Sequence, residues 1–197
     1  QPLNFVAHQS VPCLLKDNEA LRLQLLKDID NADINDRKQS RLFYGSQSAG
    51  NLFKRTEQSF KALESGLRDA IKEYYEKYKN EDCEFINLFP KEIEFSSSWY
   101  VKMQSGGHLT SHIHEDGWIS GAIYLSIPKK TKNHDEGAIE LSTHGDDYPI
   151  IIDDFPKKII KPNEGDVIFF PSSVFHRTIP FESDEERICI AFDLKPS

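Results

Sequence analysis

The sequence predicts an α+β chain that is mainly β: helices come first, then an antiparallel β-barrel or jelly roll whose outer face the helices cover. Three observations predict it. A long amphipathic stripe marks the first half, short β-branched and aromatic segments fill the second, and turn residues separate those segments. No internal repeat or low-complexity linker divides the chain, so a single domain is expected over residues 1–197. Its helical part covers about 1–90 and its β core about 93–196.

Each element follows from its local pattern. "DNEALRLQLLKDIDN" offers Asp17 or Asn18 as a cap, with Leu21, Leu25, Leu26 and Ile29 at helical spacing. "NADINDRKQSRLFYGSQSAGNLF" is rich in small and polar residues and reads as a loop. In "RTEQSFKALESGLRDAIKEYYEKYKN", Phe60, Leu63, Leu67, Ala70, Ile71, Tyr74 and Tyr78 form one face, which predicts a helix packed on a sheet. After Pro90 the period changes to two. "IEFSSSWYVKMQ", "HLTSHIHE", "WISGAIYLSI", "GAIELS", "YPIIID", "KIIKP", "DVIFFP", "VFHRTI" and "RICIAFDL" read as strands, with Gly106-Gly107 among the turns between them.

Composition narrows the function classes. A net charge of −8 with scattered acids argues against non-specific nucleic-acid binding, which needs basic patches. No run approaches the ~20 apolar residues of a membrane helix, and the N-terminus lacks the basic start and apolar block of a signal peptide. Three cysteines at unrelated spacings suggest reduced thiols and a cytoplasmic setting.

The chemistry concentrates in "GGHLTSHIHEDGW". His112 and His114 stand two apart, so on a strand both rings aim at one volume, and His176 in "VFHRTIP" can complete a facial metal set. Arg187 opens the last apolar strand, expected next to the His176 strand, where a guanidinium facing inward is costly unless it meets an anion. Metal plus buried arginine suits a small dicarboxylate: one end chelates the metal and the far carboxylate pairs with the arginine. Taken alone, an H-x-H pair reads as surface histidines and a strand arginine as an ordinary ion pair. Their combination points to a metal site. Trp118, Tyr124 and Trp99 are candidates to wall the pocket, with core packing as the competing role, and His108 is a loop histidine that could reach substrate.

"SSSWYVKMQSGGHLTSHIHEDGWISGAIYLSIP", "GAIEL" and "KPNEGDVIFFPSSVFHRTIPFESDEERICIAFDLKP" resemble the iron(II)/2-oxoglutarate-dependent oxygenases. They are most similar to the 2-oxoglutarate oxygenase family found with tetratricopeptide-repeat proteins. The resemblance implies a double-stranded β-helix, a cupin-like jelly roll. It also implies Fe(II), 2-oxoglutarate and dioxygen as cofactor and co-substrates. On this reading His112 and His176 are iron ligands and Arg187 anchors 2-oxoglutarate. Position 114 is histidine where the wider pattern has a carboxylate, so His114 is the expected second ligand and Asp116 the alternative.

The implied activity is hydroxylation of a C–H bond in an amino-acid, peptide or small-metabolite substrate, coupled to conversion of 2-oxoglutarate to succinate. Two other readings stand beside it. The same segments resemble the metal motifs of cupins, whose three-histidine dioxygenases and isomerases need no 2-oxoglutarate, although Trp118 and Ile119 stand where the first cupin motif has a glutamate. A non-catalytic ligand-binding barrel is the third.

Overall fold

The computed structural model describes residues 1–15, 19–150, 152 and 154–195. Helix α1 (Glu19–Asn31) buries Leu25 and Ile29, and the expected cap at Asp17 or Asn18 lies outside the described residues. Helix α2 (Gln58–Tyr78) buries every residue of the predicted stripe. A single turn, α3 (Glu84–Asn87), follows it. No helix among the described residues is long and apolar enough to cross a membrane.

The strands are β1 (Ala7–Ser10), β2 (Asp36–Arg37), β3 (Leu42–Ser48), β4 (Phe95–Leu109), β5 (Ile119–Ser126), β6 (Ile139–Ser142), β7 (Lys157–Ile160), β8 (Asp166–Pro171), β9 (Phe175–Thr178) and β10 (Arg187–Leu194). They form a seven-stranded sheet, β1-β8-β5-β10-β4-β3-β2, and a three-stranded sheet, β7-β6-β9, with antiparallel ladders throughout. The architecture is the jelly roll that the sequence predicts.

Alternation along the strands sorts side chains into two cores. On the outer face Ile123, Phe169, Ile190 and Phe192 pack against Phe60, Leu63, Leu67 and Tyr74 of α2. On the inner face Val101, Met103, Tyr124, Phe170 and Cys189 pack beneath Ile139 and Leu141 of the smaller sheet. The helices therefore cover one side of the large sheet and leave its inner side to the cavity.

Four local expectations change. The polar stretch read as a loop contains β2 and β3, which extend the large sheet beyond β4, and residues 7–10 add β1 at its opposite edge. Gly106-Gly107 is a bulge and not a turn. The β3–β4 register jumps there, from Gly45 opposite Met103 to Phe43 opposite His108, and β4 continues past it. Gly106 has φ +82° and donates its N–H to the Phe181 carbonyl at 2.6 Å, which fixes the bulge. The described residues of "YPIIID", 148–150 and 152, form no ladder, with Tyr148 and Ile150 facing water. Finally, β10 lies between β5 and β4, so Arg187 faces the His176 strand across the barrel instead of pairing beside it.

Leu63 is fully buried between α2 and the outer face and lies away from the cavity. Leu63→Ala should cost about 2–5 kcal/mol in urea unfolding. A loss below ~1 kcal/mol would mean that α2 packs less intimately than its stripe indicates.

Candidate active site

β10 runs down the middle of the inner face, and its register sets the rows of the site. Cys189 lies between Val101 and Tyr124, Ala191 between Trp99 and Ala122, and Asp193 between Ser97 and Ser120. Arg187, opposite Met103, begins this face at the floor. Except for Met103 and Ser120, these residues line one cavity of about 570 Å³, together with His112, His114, His176 and Asp116.

The three histidines meet near the mouth. Residues 110–114 lie outside the named strands, contrary to the strand expected over "HLTSHIHE", but His112 exchanges both backbone hydrogen bonds with His176, at 3.1 and 2.9 Å. Residues paired in that way project their side chains to the same face. His114 N–H donates to the Ser172 carbonyl at 3.0 Å, so extended geometry continues and both rings of the H-x-H pair face His176. Ring centroids are separated by 4.3 Å for His112–His176, 4.9 Å for His114–His176 and 5.4 Å for His112–His114. One nitrogen from each lies within 4.8 Å of the others.

The hydrogen bonds define which nitrogen is free. His112 Nδ1 faces the Thr110 carbonyl at 2.7 Å and His176 Nδ1 faces the Val174 carbonyl at 3.2 Å. His114 Nδ1 faces Asp193 Oδ1 at 2.6 Å. Carbonyl and carboxylate oxygens only accept, so each Nδ1 carries the hydrogen and each Nε2 keeps its lone pair. Burial lowers the His112 pKa to about 4 and holds that of His176 well below the usual histidine range, with neighbouring histidines adding to it. Neutral rings with an oriented free nitrogen are the form that binds a metal ion.

Asp193 is the residue that local sequence reasoning missed. Burial alone would raise its pKa, but hydrogen bonds from His114, Ser120 and Ser97 outweigh that effect and hold it below the usual carboxylate value. Ser120 donates to Oδ1 at 2.7 Å and Ser97 to Oδ2 at 2.8 Å. The available signal was the two-residue alternation of "RICIAFDL", which puts Arg187, Cys189, Ala191 and Asp193 on one face.

At the floor, Arg187 is 2% exposed and no carboxylate among the described residues pairs with it. Nε donates to the Gly137 carbonyl at 2.9 Å, and Nη1 has only Cys189 Sγ at 3.8 Å and Met103 Sδ at 4.0 Å. Its guanidinium carbon lies 5.0 Å from the centre of the Tyr124 ring. The Tyr124 hydroxyl is buried without a hydrogen-bond partner among the described residues, and burial raises its pKa so that it remains a donor. Two orphaned donors, one of them charged, fit a carboxylate.

The other candidates divide. Trp99 lines the cavity with its ring 5.5 Å from His114. Asp116 borders the cavity but is exposed on a turn, outside the histidine cluster. Trp118 points to the outer side, stacked on Phe85 and donating Nε1–H to its carbonyl at 3.2 Å. His108 stacks on Phe43 and does not line the cavity. Neither Trp118 nor His108 walls the pocket: the contacts with Phe85 hold Trp118 outward although it shares the parity of Ala122 and Tyr124, and His108 follows the β4 bulge.

A family model described as "Putative 2OG-Fe(II) oxygenase" matches residues 97–193. No curated protein sequence matches the chain. Solved structures share the fold across nearly the whole chain. A Pseudomonas putida prolyl-4-hydroxylase is 14% identical with a TM-score of 0.64, over 98% of this chain and 92% of that one. A Trichoplax adhaerens prolyl hydroxylase, solved with a hypoxia-inducible-factor peptide fragment, is 15% identical with a TM-score of 0.65, over 98% and 84%. HygX from Streptomyces hygroscopicus, solved with nickel and 2-oxoglutarate, is 9% identical with a TM-score of 0.64, over 99% and 85%. The family match decides between the oxygenase and cupin readings, and its span includes all three histidines and Arg187. Residues 97–193 match the 2OG-Fe(II) oxygenase model and the wider chain shares the fold of those structures, which together indicate an iron(II)- and 2-oxoglutarate-dependent oxygenase.

Proposed function

We propose that His112, His114 and His176 hold the iron, that Arg187 and Tyr124 hold the far carboxylate of 2-oxoglutarate, and that the enzyme hydroxylates a C–H bond of an amino-acid, peptide or small-metabolite substrate. The observation that carries this reading is the pairing, in one cavity, of a three-histidine cluster with a buried guanidinium that has no carboxylate partner among the described residues. Residues 1–197 act in it as one domain, a reading supported by β1, β2 and β3 sharing a sheet with the strands that build the site.

When bound, iron supplies the redox chemistry by which substrate, dioxygen and 2-oxoglutarate become hydroxylated product, succinate and carbon dioxide. The chain's own residues bind and orient. Arg187 and Tyr124 fix one end of the co-substrate with three to four available N–H and O–H donors between them, and the apolar rows of Val101, Ala122 and Ala191 exclude water from its middle. Asp193 holds the His114 ring through Nδ1–H, keeping Nε2 directed at the metal. The Trp99 ring screens the same histidine on the substrate side.

The activity test is succinate formation from 2-oxoglutarate with iron(II) and ascorbate, followed by a mass-shift screen of peptides and amino acids. Wild-type protein that binds both iron and 2-oxoglutarate yet forms no succinate with any of them would contradict the assignment.

Three substitutions separate the residue roles. Anaerobic iron titration should show that His114→Ala loses the metal and Asp116→Ala keeps it; the reverse result would move the second ligand to Asp116. Arg187→Met should weaken 2-oxoglutarate binding by about 2–5 kcal/mol, roughly 30-fold or more, while leaving iron affinity nearly intact. Tyr124→Phe should weaken it by about 1.5–3 kcal/mol. Unchanged 2-oxoglutarate affinity in both variants would remove the carboxylate from the floor. Asp193→Ala should lower iron affinity about 10–100-fold. Asp193→Asn, whose carbonyl oxygen still accepts from Nδ1–H, should recover part of that loss, and an equal loss in both would show that the charge matters more than the orientation.

A further inference from the structure

We propose that Arg37 and Gln47 form a subsite for the prime substrate's carboxylate, and that the substrate is an acidic amino-acid unit carried in a peptide or acylated form. This rests on the oxygenase reading above and extends it to the substrate.

The inner face does not end at β4. Gln47 on β3 stands opposite Val101, and Arg37 on β2 stands opposite Gln47. Directly opposed residues share a face, so the row that contains Tyr124, Cys189 and Val101 runs on through Gln47 to Arg37. The next residues along confirm the parity. The Ser48 hydroxyl accepts from Tyr100 N–H at 3.0 Å, and Asp36 Oδ1 accepts from the Tyr100 hydroxyl at 2.9 Å, both on the outer side.

Gln47 is 5% exposed, borders the cavity, and its amide makes no hydrogen bond among the described residues. That amide opens on the cavity with no protein partner among the described residues, so a ligand can pair with it. Its C=O and NH2 are complementary to the N–H and C=O of a peptide or acylamide group.

Charge gives the second half of the argument. Of the arginines lining the cavity, Arg41 is held bidentately by Asp146 at 2.7 Å for both bonds, and Arg177 is held by Glu140 at 2.8 and 3.0 Å. Arg187 lies at the floor. Arg37 is the arginine of the rim with no acidic partner among the described residues, and its planar fork matches a carboxylate. Glu115 and Asp116 put negative charge on another part of the rim, so the mouth is polarised and an acidic substrate can enter in only one sense.

The geometry sets the size of what fits. Adjacent strands are ~4.8 Å apart, so Arg37 lies about 10 Å across the sheet from β4, whose Trp99 sits beside His114. An amino-acid unit with its carboxylate on Arg37 and its amide on Gln47 can therefore present its carbon chain along Trp99 toward the histidine cluster.

The test uses the iron-loaded full chain with saturating 2-oxoglutarate and pools of acetylated tetrapeptides. One pool carries Asp or Glu with an amidated C-terminus, and matched pools carry Asn or Gln, Lys, or phosphoserine in their place. A neutral pool keeps its free C-terminal carboxylate. Succinate release above the peptide-free rate and addition of one oxygen atom to the peptide are read. A carboxylate-bearing pool should stimulate about tenfold more than the Asn/Gln and Lys pools. The amidated and free-acid arms distinguish a side-chain carboxylate from a chain end. Arg37→Glu should abolish the acid preference and shift it toward the Lys pool, whereas Arg37→Lys should keep part of it. Equal stimulation by the amidated Asn/Gln or Lys pools, preference for phosphoserine, silence of every pool, or an unchanged preference in Arg37→Glu would each overturn the inference. If wild-type protein instead binds no 2-oxoglutarate and forms no succinate even without peptide, the underlying oxygenase assignment has failed.

Discussion

A guanidinium enclosed in an apolar barrel, with no carboxylate among the described residues to neutralise it, is the constraint around which the rest of the molecule is arranged. Isolated charge in such surroundings is tolerated only with compensation. Here the chain supplies a carbonyl, two sulfur atoms and an aromatic face, which solvate the cation without saturating it. The inner face must then stay open above it. Small residues at Ala122 and Ala191 keep the middle rows low, while the outer face of the same strands is filled by large side chains under α2. Stability is thus concentrated on one side of the large sheet and binding capacity on the other.

How much of this could be read from the sequence depended on whether the signal was local. The α2 stripe and the apolar strands β5, β8 and β10 declare themselves by periodicity, because each buries at least one whole face. H-x-H was legible as a convergent pair even though its segment is not a regular strand, since a single backbone pairing with His176 imposes the same parity. By contrast β2 is the edge strand and covers β3 only at Gln47 and Ser48, and the two have several exposed side chains, so they carry no apolar alternation and read as a loop. The apolar letters of "YPIIID" had the opposite effect: they resemble a strand, but Tyr148, Ile150 and Ile152 remain in water.

Long-range register was beyond local reasoning. Nothing near Asp193 reveals that Ser97, Ser120 and His114 will surround it, and nothing near Trp118 reveals that Phe85 will draw it outward. Gly106-Gly107 carries the same lesson, since a paired glycine serves a bulge as readily as a reversal, and the hydrogen bond to the Phe181 carbonyl decides between them. Once the two neighbours of β10 are known, however, its alternate residues order the site from floor to mouth.

The proposed donor set has three imidazoles, with a carboxylate one ring removed from the ion. Nitrogen-only coordination gives little discrimination of its own: affinity should follow the Irving–Williams series, in which Fe(II) ranks below cobalt, nickel and copper. Occupancy would then be governed by which ion the surroundings make available, and a zinc ion in the same place would leave the barrel folded but redox-silent. Iron selectivity, on this account, belongs to metal supply and to the co-substrate that completes the coordination shell, with the polypeptide providing a permissive cradle.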